Sequence, residues 1–515
     1  MNNNPNTDIA KPKENLKQRA YLNTVATGID FLAKKGVNFF VIPIMVAKLG
    51  PVFFGVWQIL RQLNVYMQTA DMSAAGPLKY YLSRERSLRE DDELRRSFTA
   101  SVFSTILVIP IYIIAGVTLV WLAPHVASVD SENFLLIRMT SALLVTAYIT
   151  RQIFALFEAV LSGMNLSYKR MGFKATINII GGVLTITALY LEYGLIGLAA
   201  VEIIISVITG LTFWGIIKKH VPWLGFSRVS FDEVKTYLKL SVSFLGWKIV
   251  RIVNLTYDII LLGIFSGPAI VSKYVITRFL MTGAKGLIDQ VFPALTAGIG
   301  KVLGEGDRAK LLRVRSLLIK MVWAVGMIVG ATICLWNKSF ISLWTSPDLF
   351  AGQLETFLIV IIVLQTSLQR IDTSLTSITL KLNEMTLLTS ISVVVSVLLT
   401  IVLAPHFQII GLLLALLIGN IILTIGYPKI LENLLSERSF MQELLFKRSA
   451  VYSMLIFIIT SILGISIYTS SWFVIIPGVL VTLLFLCFIQ WYLIFEKNDR
   501  EWVAGYANEI TFFKR

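Results

Sequence analysis

The chain has 515 residues, of which 56% are hydrophobic and 15% are charged, and its mean hydropathy is +0.75. These values exclude an ordinary soluble globular protein and are typical of a chain that crosses a membrane many times. The formal net charge of +15 would favour a nucleic-acid-binding protein if the basic residues were clustered on one surface. They follow instead the pattern of membrane topology, so no nucleic-acid partner is predicted.

Apolar stretches long enough to cross about 30 Å of hydrocarbon recur along nearly the whole sequence. We therefore predict an all-α integral membrane protein with about fourteen transmembrane helices. The predicted spans are residues 22–47, 52–75, 98–122, 133–160, 173–191, 194–217, 237–264, 269–295, 316–336, 353–380, 386–404, 409–428, 450–468 and 472–494.

The connections between these spans differ strongly in charge. Of the 46 lysine and arginine residues, 33 lie in the even-numbered connections, in the terminal segments or at the span ends beside them, and only Lys48 and Lys338 lie in the odd-numbered connections. Basic residues concentrate on the cytoplasmic side of a membrane, so both termini are predicted to be cytoplasmic. Residues 1–20 contain no apolar run, and we expect no cleavable signal peptide there.

The chain repeats itself at an offset of 217 residues. The first copy reads Gly50-Pro51-x-x-x-Gly55-x-Trp57-x-x-x-Arg61, and the second reads Gly267-Pro268-x-x-x-Ser272-x-Tyr274-x-x-x-Arg278. The same offset pairs Lys34 with Arg251 and Gln68 with Lys285. Parallel repeats of six helices with a site near the bilayer midplane are a transporter layout.

This repeat predicts the organisation of the whole chain. The predicted parts are a cytoplasmic tail (1–20), an N-terminal six-helix lobe (21–217), a cytoplasmic linker (218–236), a C-terminal six-helix lobe (237–431), a cytoplasmic loop (432–449), two extra transmembrane helices (450–494) and a cytoplasmic tail (495–515).

Ionisable residues inside the predicted spans are the main functional signal. A basic side chain at the bilayer centre costs roughly 3 kcal/mol or more, so these residues must line a wet interior or pair with acids. The basic residues within spans are Lys34, Lys35, Arg61, Arg138, Arg151, Lys248, Arg251, Lys273, Arg278, Lys285 and Arg370. The acidic ones are Asp30, Asp71, Glu158, Glu202, Asp258, Asp289 and Asp372. The excess of positive charge favours an anionic cargo.

Helical spacing places most of these charges on one face of the first, second, seventh and eighth spans. Arg61 and Arg278 are the strongest candidates for cargo contact, because a guanidinium can hold phosphate oxygens in a fork. The other predicted substrate-binding residues are Lys34, Arg251, Lys248, Lys285, Lys273 and Arg151. The acids Asp30, Asp71, Asp258 and Asp289 are candidates for coupling to a gradient of H⁺ or Na⁺, or they simply neutralise neighbouring basic residues.

No signal of an enzyme is present. The sequence contains no Walker A motif, and its two cysteines and three histidines are scattered, so we expect no ATP hydrolysis, no metal site and no bound cofactor. The longest predicted outer connection, 337–352, is too short to supply the external domain that membrane-bound glycan polymerases and ligases usually carry. These observations predict that the chain is a transporter.

Three segments resemble one family. The stretch 39–60, with Pro43, Gly50-Pro51 and Trp57, resembles the first helix pair of O-antigen and polysaccharide repeat-unit flippases. These belong to the multidrug/oligosaccharidyl-lipid/polysaccharide (MOP) superfamily. The segment 70–78 is similar to the family's Asp-x-Gly segment, with Met72-Ser73 where glycine is usual, and Tyr193-Gly194-Leu195-Ile196-Gly197-Leu198 also fits. The resemblance covers about residues 1–430.

The resemblance implies two six-helix bundles around a central cavity that opens alternately to each side of the membrane. In the related lipid II flippases, basic residues on the first, second and eighth helices surround a pyrophosphate, and Lys34, Arg61 and Arg278 lie on similar helices. Those flippases also use two C-terminal helices as a groove for the lipid tail, which would correspond to 450–494.

The expected function is therefore to flip undecaprenyl-pyrophosphate-linked oligosaccharides across a bacterial cytoplasmic (inner) membrane, as in O-antigen and lipopolysaccharide biosynthesis. The expected partners are this lipid-linked cargo, membrane lipids, and the polysaccharide polymerase or chain-length machinery. Two alternatives stay open: a drug or metabolite exporter of the same superfamily, and a non-transporting partner in a polysaccharide-assembly complex. An exporter of cationic drugs should have an acidic cavity, which the excess of basic residues does not favour.

Overall fold

The structure is a computed structural model that describes residues 16–70, 73–85, 91–170, 172–243, 245–290, 308–378, 382–435, 448–495 and 500. Within these residues the chain is helical and contains no strand. A long run of Leu, Ile, Val and Phe in hydrocarbon must satisfy its backbone hydrogen bonds internally, and a helix does so within one segment.

The helices are numbered α1 to α16 in chain order. They are α1 (16–49), α2 (51–66), α3 (Ala75–Glu85), α4 (Asp91–Val126), α5 (Phe134–Gly163), α6 (Phe173–Tyr190), α7 (Gly194–His220), α8 (Phe231–Ser243), α9 (Leu245–Ser266), α10 (268–290), α11 (Arg308–Trp344), α12 (Gln353–Ile378), α13 (382–407), α14 (409–435), α15 (Arg448–Ser466) and α16 (Trp472–Ile494).

The described helices confirm the all-α membrane fold and its number of spans. Eleven continuous helical stretches are long and apolar enough to cross a membrane. Two of these stretches are helix pairs joined at non-helical residues, α1 with α2 at Gly50 and α13 with α14 at Gln408. The helix α10, which is interrupted by a turn at Arg278, lies within the predicted span 269–295 over most of its length. The short helices α3 and α8 are the two that do not span.

The structure corrects one predicted boundary. The predicted seventh span began at residue 237, but residues 231–243 form the separate helix α8 before α9 begins. A capping box starts α8: the backbone N–H of Ser230 donates to Oε2 of Glu233 at 2.6 Å, and the N–H of Glu233 donates to the Ser230 hydroxyl at 3.3 Å. Val234 and Tyr237 then pack with Ala100 of α4, so α8 lies against the N-terminal helices.

The helices form two lobes and an attached pair. In the N-terminal lobe α5 packs against both α4 and α7, and α1 packs against α6. In the C-terminal lobe α12 packs against α11 and against the α13–α14 pair, which also contacts α9. The pair α15–α16 packs on α11, where the indole N–H groups of Trp323 and Trp336 donate to Ser453 and Thr482.

The repeated turns meet at the interface of the two lobes. Gly50 has φ 73° and ψ 168°, and Gly267 has φ 80° and ψ 166°, a backbone conformation that only glycine adopts readily. Gly55 on α2 packs against the backbone of Pro268 at the start of α10, since a Cβ at residue 55 would lie 1.8 Å from the Pro268 carbonyl oxygen. The Ser272 hydroxyl donates to the Pro51 carbonyl across the same interface. The two copies of the motif therefore hold the lobes together.

An aromatic cluster closes the same end of the interface. The Trp344 ring lies 5.7 Å from that of Phe39 and 4.4 Å from that of Phe279. Its indole N–H donates to the Phe39 carbonyl oxygen at 2.8 Å. Because Phe39 belongs to α1 and the other two belong to the C-terminal lobe, this cluster adds apolar and hydrogen-bonding contacts between the lobes.

We predict that Gly55→Ala weakens this lobe interface, because no flexible side chain can move away from the new methyl group. Overpacking of this kind costs about 1–3 kcal/mol, so the melting temperature of the purified protein should fall. Gly36→Ala is the matched control: residue 36 is helical, and a Cβ there meets nothing within 4 Å. Equal melting temperatures for the two variants would contradict the packing described.

Candidate functional site

The N-terminal lobe contains a cavity of about 390 Å³ between α1, α2, α5, α6 and α7, called here the N-lobe cavity. Most of its wall is apolar or neutral, with Val41, Trp57 and Asn178 among the lining residues. Its ionisable lining residues are Lys34, Arg61, Arg151, Lys174, Glu158 and Glu202. Basic groups therefore outnumber acidic ones by two in this cavity.

Each carboxylate of the N-lobe cavity is paired with a different cation of the same cavity. Arg151 Nη2 lies 3.1 Å from Glu202 Oε2, and Lys174 Nζ lies 3.5 Å from Glu158 Oε1. Among the described residues, Lys34 and Arg61 form no ion pair. The excess charge of the cavity thus resides on one lysine of α1 and one arginine of α2.

These two cations lie at different depths of the span. Counted from the turn at Gly50, Arg61 is about 16 Å along α2 and Lys34 about 24 Å along α1, at 1.5 Å per helical residue. The hydrocarbon core is about 30 Å thick, so Arg61 lies near its middle, far from either membrane surface. Lys34 lies about 6 Å from the surface opposite the turn, where a lysine side chain can reach the interface.

The C-terminal lobe contains a second cavity of about 310 Å³, called here the C-lobe cavity, between α9, α10, α12 and α14. Its ionisable lining residues other than tyrosines are Asp258, Arg278, Lys285 and Arg370. Asn254, Gln369 and Asn420 add neutral polar groups to the wall. Lys285 is already neutralised, because its Nζ lies 2.7 Å from Asp289 Oδ2 one helical turn away.

Arg278 is paired with an acid in the wall of the C-lobe cavity. Its Nη1 donates to Asp258 Oδ2 at 2.5 Å and to the Tyr274 hydroxyl at 2.9 Å, and that hydroxyl donates to the same carboxylate oxygen at 3.0 Å. The guanidinium carbon lies 4.4 Å from the Tyr274 ring centroid. These three side chains form a closed network in which the charge of Arg278 is compensated within the protein.

A break in α10 positions this arginine. The helix turns at Arg278, and the Asn337 side-chain amide of α11 donates at 3.0 Å to the carbonyl oxygen of Thr277 beside the break. Asn337 is completely buried. A polar group inserted beside a helix in this way is a recognised cause of a kink.

The predicted site residues are therefore divided between the lobes. Lys34, Arg61 and Arg151 line the N-lobe cavity, and Arg278, Lys285 and Asp258 line the C-lobe cavity, with no residue common to both linings. Lys248, Arg251, Lys273, Asp30 and Asp289 line neither cavity, and Asp71 lies outside the described residues. From the sequence we expected cations of both lobes to face one shared chamber. In the structure Arg61 and Arg278 instead line two separate cavities, one in each lobe.

A buried ion pair corrects the charge assignment of α11. Arg315 precedes the predicted span 316–336 and so belongs to a predicted cytoplasmic connection. Its Nε lies 2.7 Å from Asp372 Oδ1, and both side chains are at most 3% exposed. Asp372 therefore belongs to the packing of α11 against α12 and not to a cavity. The partners are 57 residues apart in the sequence, so no local sequence pattern could indicate this pair.

Lys35 and Arg138 lie outside both cavities as well. The Lys35 ammonium lies 5.8 Å from the Phe31 ring centroid and 6.0 Å from that of Phe279, at the interface of the lobes. The Arg138 guanidinium lies 5.8 Å from the Phe134 ring centroid, one turn away on α5. Aromatic faces stabilise cations by about 0.5–2 kcal/mol, so both residues are partly compensated.

The sequence matches no family model and no curated protein sequence. The structure, however, is similar to solved transporters. It matches a lipid II flippase, MurJ, in an inward closed conformation with a TM-score of 0.69 at 14% sequence identity, covering 91% of this chain and 98% of that one. The chain therefore has the same fold as this flippase. The match covers almost the whole of the flippase, so the two folds correspond over nearly their full length.

Multidrug resistance MATE family transporters share this MOP fold. An outward-facing MATE structure matches with a TM-score of 0.57 at 16% identity, covering 82% of this chain and 97% of that one. An inward-facing MATE structure matches with a TM-score of 0.57 at 15% identity, covering 80% and 95%. Structures of this fold therefore occur in states open to opposite sides.

We predict that the N-lobe cavity attracts anions. In a Cys334→Ser/Cys487→Ser background, an Asn178→Cys thiol in the cavity wall should react about tenfold faster with an anionic than with a cationic thiosulfonate at low salt, because the unpaired cations raise the local potential. Adding Lys34→Gln and Arg61→Gln should bring the ratio close to that of Ser470→Cys, an exposed control. An unchanged ratio would contradict the assignment of the excess charge.

Proposed function

We propose that the protein is a flippase of the MOP fold that moves an undecaprenyl-pyrophosphate-linked oligosaccharide across a bacterial cytoplasmic membrane. The observation that carries the proposal is the pair of cations without a described ion pair, Lys34 and Arg61, that line the cavity of the N-terminal lobe. A basic residue near the bilayer midplane, as Arg61 is, costs roughly 3 kcal/mol or more in hydrocarbon and usually marks a functional site. The phosphates of a lipid-linked sugar would neutralise these two cations, while the prenyl tail stays in the lipid.

The shape of the cavity supports loading from the cytoplasmic leaflet. On the topology predicted from the loop charges, the turns at Gly50 and Gly267 lie at the outer face. Lys174 and Glu158, which line the N-lobe cavity, lie near the cytoplasmic ends of α6 and α5. The cavity therefore extends towards the cytoplasmic side, while the lobes are packed together at the other end.

Alternating access would follow from a change in this packing. The contacts between the repeated turns involve one glycine, two prolines and one serine hydroxyl, which leave few interlocking side chains. We propose that separation at these turns, with closure at the opposite end, carries the cargo outward. A gradient of H⁺ or Na⁺ would drive the cycle through one of the candidate acids, Asp30, Asp71, Asp258 or Asp289.

Drug export is the second candidate function, and the structural likeness to MATE transporters favours it. The charge of the cavities opposes it, because a cationic drug would meet unpaired lysine and arginine side chains.

Delivery of the flipped saccharide to a polysaccharide polymerase or to chain-length machinery would be the next step on the outer side, which makes those proteins proposed partners.

Transport by the purified protein tests the proposal. In proteoliposomes, a fluorescent pyrophosphate-linked lipid saccharide should change leaflets, and a lipid saccharide without phosphate or a cationic dye should not. Arg61→Ala/Arg278→Ala should reduce transfer by at least about tenfold, since it removes one guanidinium from each cavity. Arg313→Ala, an exposed arginine outside both linings, is the control.

Three results would contradict the proposed flippase. Absence of transfer of the anionic lipid under any ion gradient would remove the transport activity. Faster movement of the cationic dye than of the anionic lipid would favour drug export. Unchanged surface glycan in cells that carry the double variant would favour a non-transporting role in an assembly complex.

A further inference from the structure

Arg138, near the start of α5, has no place in the transport site described above. It lines neither cavity, and none of the described ion pairs includes it. Its Nε is buried without a hydrogen-bond partner among the described residues, and the described contact of its charged group is with the Phe134 ring. An arginine within a membrane span is costly to keep without a partner, so this residue calls for a separate explanation.

Arg138 lies at the end of the molecule where the repeated turns meet. The connection between α4 and α5 runs beside the second turn, because the Ser128 hydroxyl donates to the Ile264 carbonyl oxygen at 3.5 Å, three residues before Gly267. Arg138 is about 6 Å along α5 from Phe134, at 1.5 Å per helical residue. At this depth an arginine side chain can reach the boundary between hydrocarbon and lipid headgroups.

The surface around Arg138 faces the surrounding lipid. Leu135 and Trp121 are 70% and 61% exposed, and neither lines a cavity. Deeper in the span α4 and α5 pack closely, since a Cβ at Gly116 would lie 2.4 Å from Val145 Cγ1. Arg138 precedes Val145 by seven residues and is therefore on the same, α4-facing side of α5. It thus lies at the headgroup end of the groove between these two helices, called here the α4–α5 groove.

A cation, an imidazole and an indole lie close together in the α4–α5 groove. The His125 ring centroid lies 5.2 Å from that of Phe134, and the Arg138 guanidinium lies 5.8 Å from the same centroid. The Trp121 ring lies 5.8 Å from that of His125. A guanidinium can hold two phosphate oxygens in a fork, an imidazole N–H can donate to another, and tryptophan is enriched at the level of the headgroups. The groove therefore offers donors and positive charge where the phosphates of membrane lipids lie.

We propose that the α4–α5 groove binds one anionic glycerophospholipid, whose phosphodiester contacts Arg138 and His125. This lipid belongs to the leaflet at the end of the repeated turns, and it is a bound neighbour of the protein and not its cargo. A zwitterionic headgroup carries its own cation, so an anionic headgroup matches the guanidinium better. The exposed acids Asp130 and Glu132 of the adjacent connection would repel a second anion. The inference does not depend on the flippase proposal.

Fluorescence quenching at one engineered cysteine tests the lipid preference of the groove. In the Cys334→Ser/Cys487→Ser background, a bimane label at Leu135→Cys lies beside Arg138. The full-length protein is reconstituted in phosphatidylcholine that contains either spin-labelled phosphatidylglycerol or spin-labelled phosphatidylcholine, with the spin label near the headgroup end of the acyl chain. Phosphatidylglycerol should quench with about fivefold higher apparent affinity at low salt, because a cation at the membrane surface attracts anionic lipid.

Substitution of the arginine should remove this preference. Arg138→Gln should lower the ratio of apparent affinities at Leu135→Cys to about twofold or less, because the fork and its charge are lost. Lys48→Gln is the matched control. Lys48 is an exposed cation at the same end of the molecule, and it also lies on an aromatic ring, 4.6 Å from the Tyr190 centroid. Its loss should leave the ratio at Leu135→Cys unchanged.

A label on the C-terminal lobe reports the lipid preference of a surface without basic residues. Val402 on α13 is 61% exposed, and residues 382–428 contain no lysine or arginine. It lies near the same end, since the Ala404 carbonyl oxygen accepts from the Ser266 hydroxyl at 3.5 Å. Both spin-labelled lipids should quench a label at Val402→Cys equally. This comparison of two sites in the otherwise unchanged protein decides the question even if Arg138→Gln does not fold.

Three results would overturn the proposed lipid site. The first is an equal lipid preference at Leu135→Cys and Val402→Cys. The second is an unchanged preference in a folded Arg138→Gln variant, which would mean that this side chain only extends into water. The third is an equal loss of preference in Lys48→Gln, which would assign the preference to the charge of the whole face and not to the groove.

Discussion

The cost of holding positive charge inside a bilayer is the constraint on which this structure depends. A lysine or arginine in hydrocarbon must reach water, find an acid or meet an aromatic ring. The protein uses each of these solutions: Asp258 for Arg278, Asp372 for Arg315 and two phenylalanines for Lys35. Lys34 and Arg61 use the first solution, since both are exposed and line a cavity where solvent reaches them. Arg370 in the C-lobe cavity is likewise exposed and has no described ion pair.

Duplication explains both the symmetry of the fold and its functional asymmetry. The turns at Gly50 and Gly267 share one glycine-specific backbone conformation and pack against each other, so the repeat supplies the lobe interface. Behind the turns, the same helix pair presents an arginine to each lobe interior. The second copy has Asp258, which pairs with Arg278, where the first copy has Val41.

The sequence predicted the features that local patterns encode, and it missed those that depend on contacts between distant helices. Hydropathy was sufficient to predict the transmembrane spans. The motif from Gly50 to Arg61 was sufficient to detect the internal repeat. The capping box from Ser230 to Glu233 was readable and would have placed a helix start at residue 231, ahead of the predicted span start at 237. The pair Arg315–Asp372 and the closure of Arg278 by Asp258 were not readable, because α11 with α12 and α9 with α10 bring those side chains together only in three dimensions.

A structure determined in lipid nanodiscs with a pyrophosphate-linked lipid saccharide tests the central claim most directly. The account predicts density for the two phosphates between Lys34 Nζ and the Arg61 guanidinium, inside the N-terminal lobe, with the Arg278–Asp258 pair intact. Phosphate density against Arg278 with that pair broken, or Lys34 and Arg61 turned towards carboxylates of the protein, would contradict it.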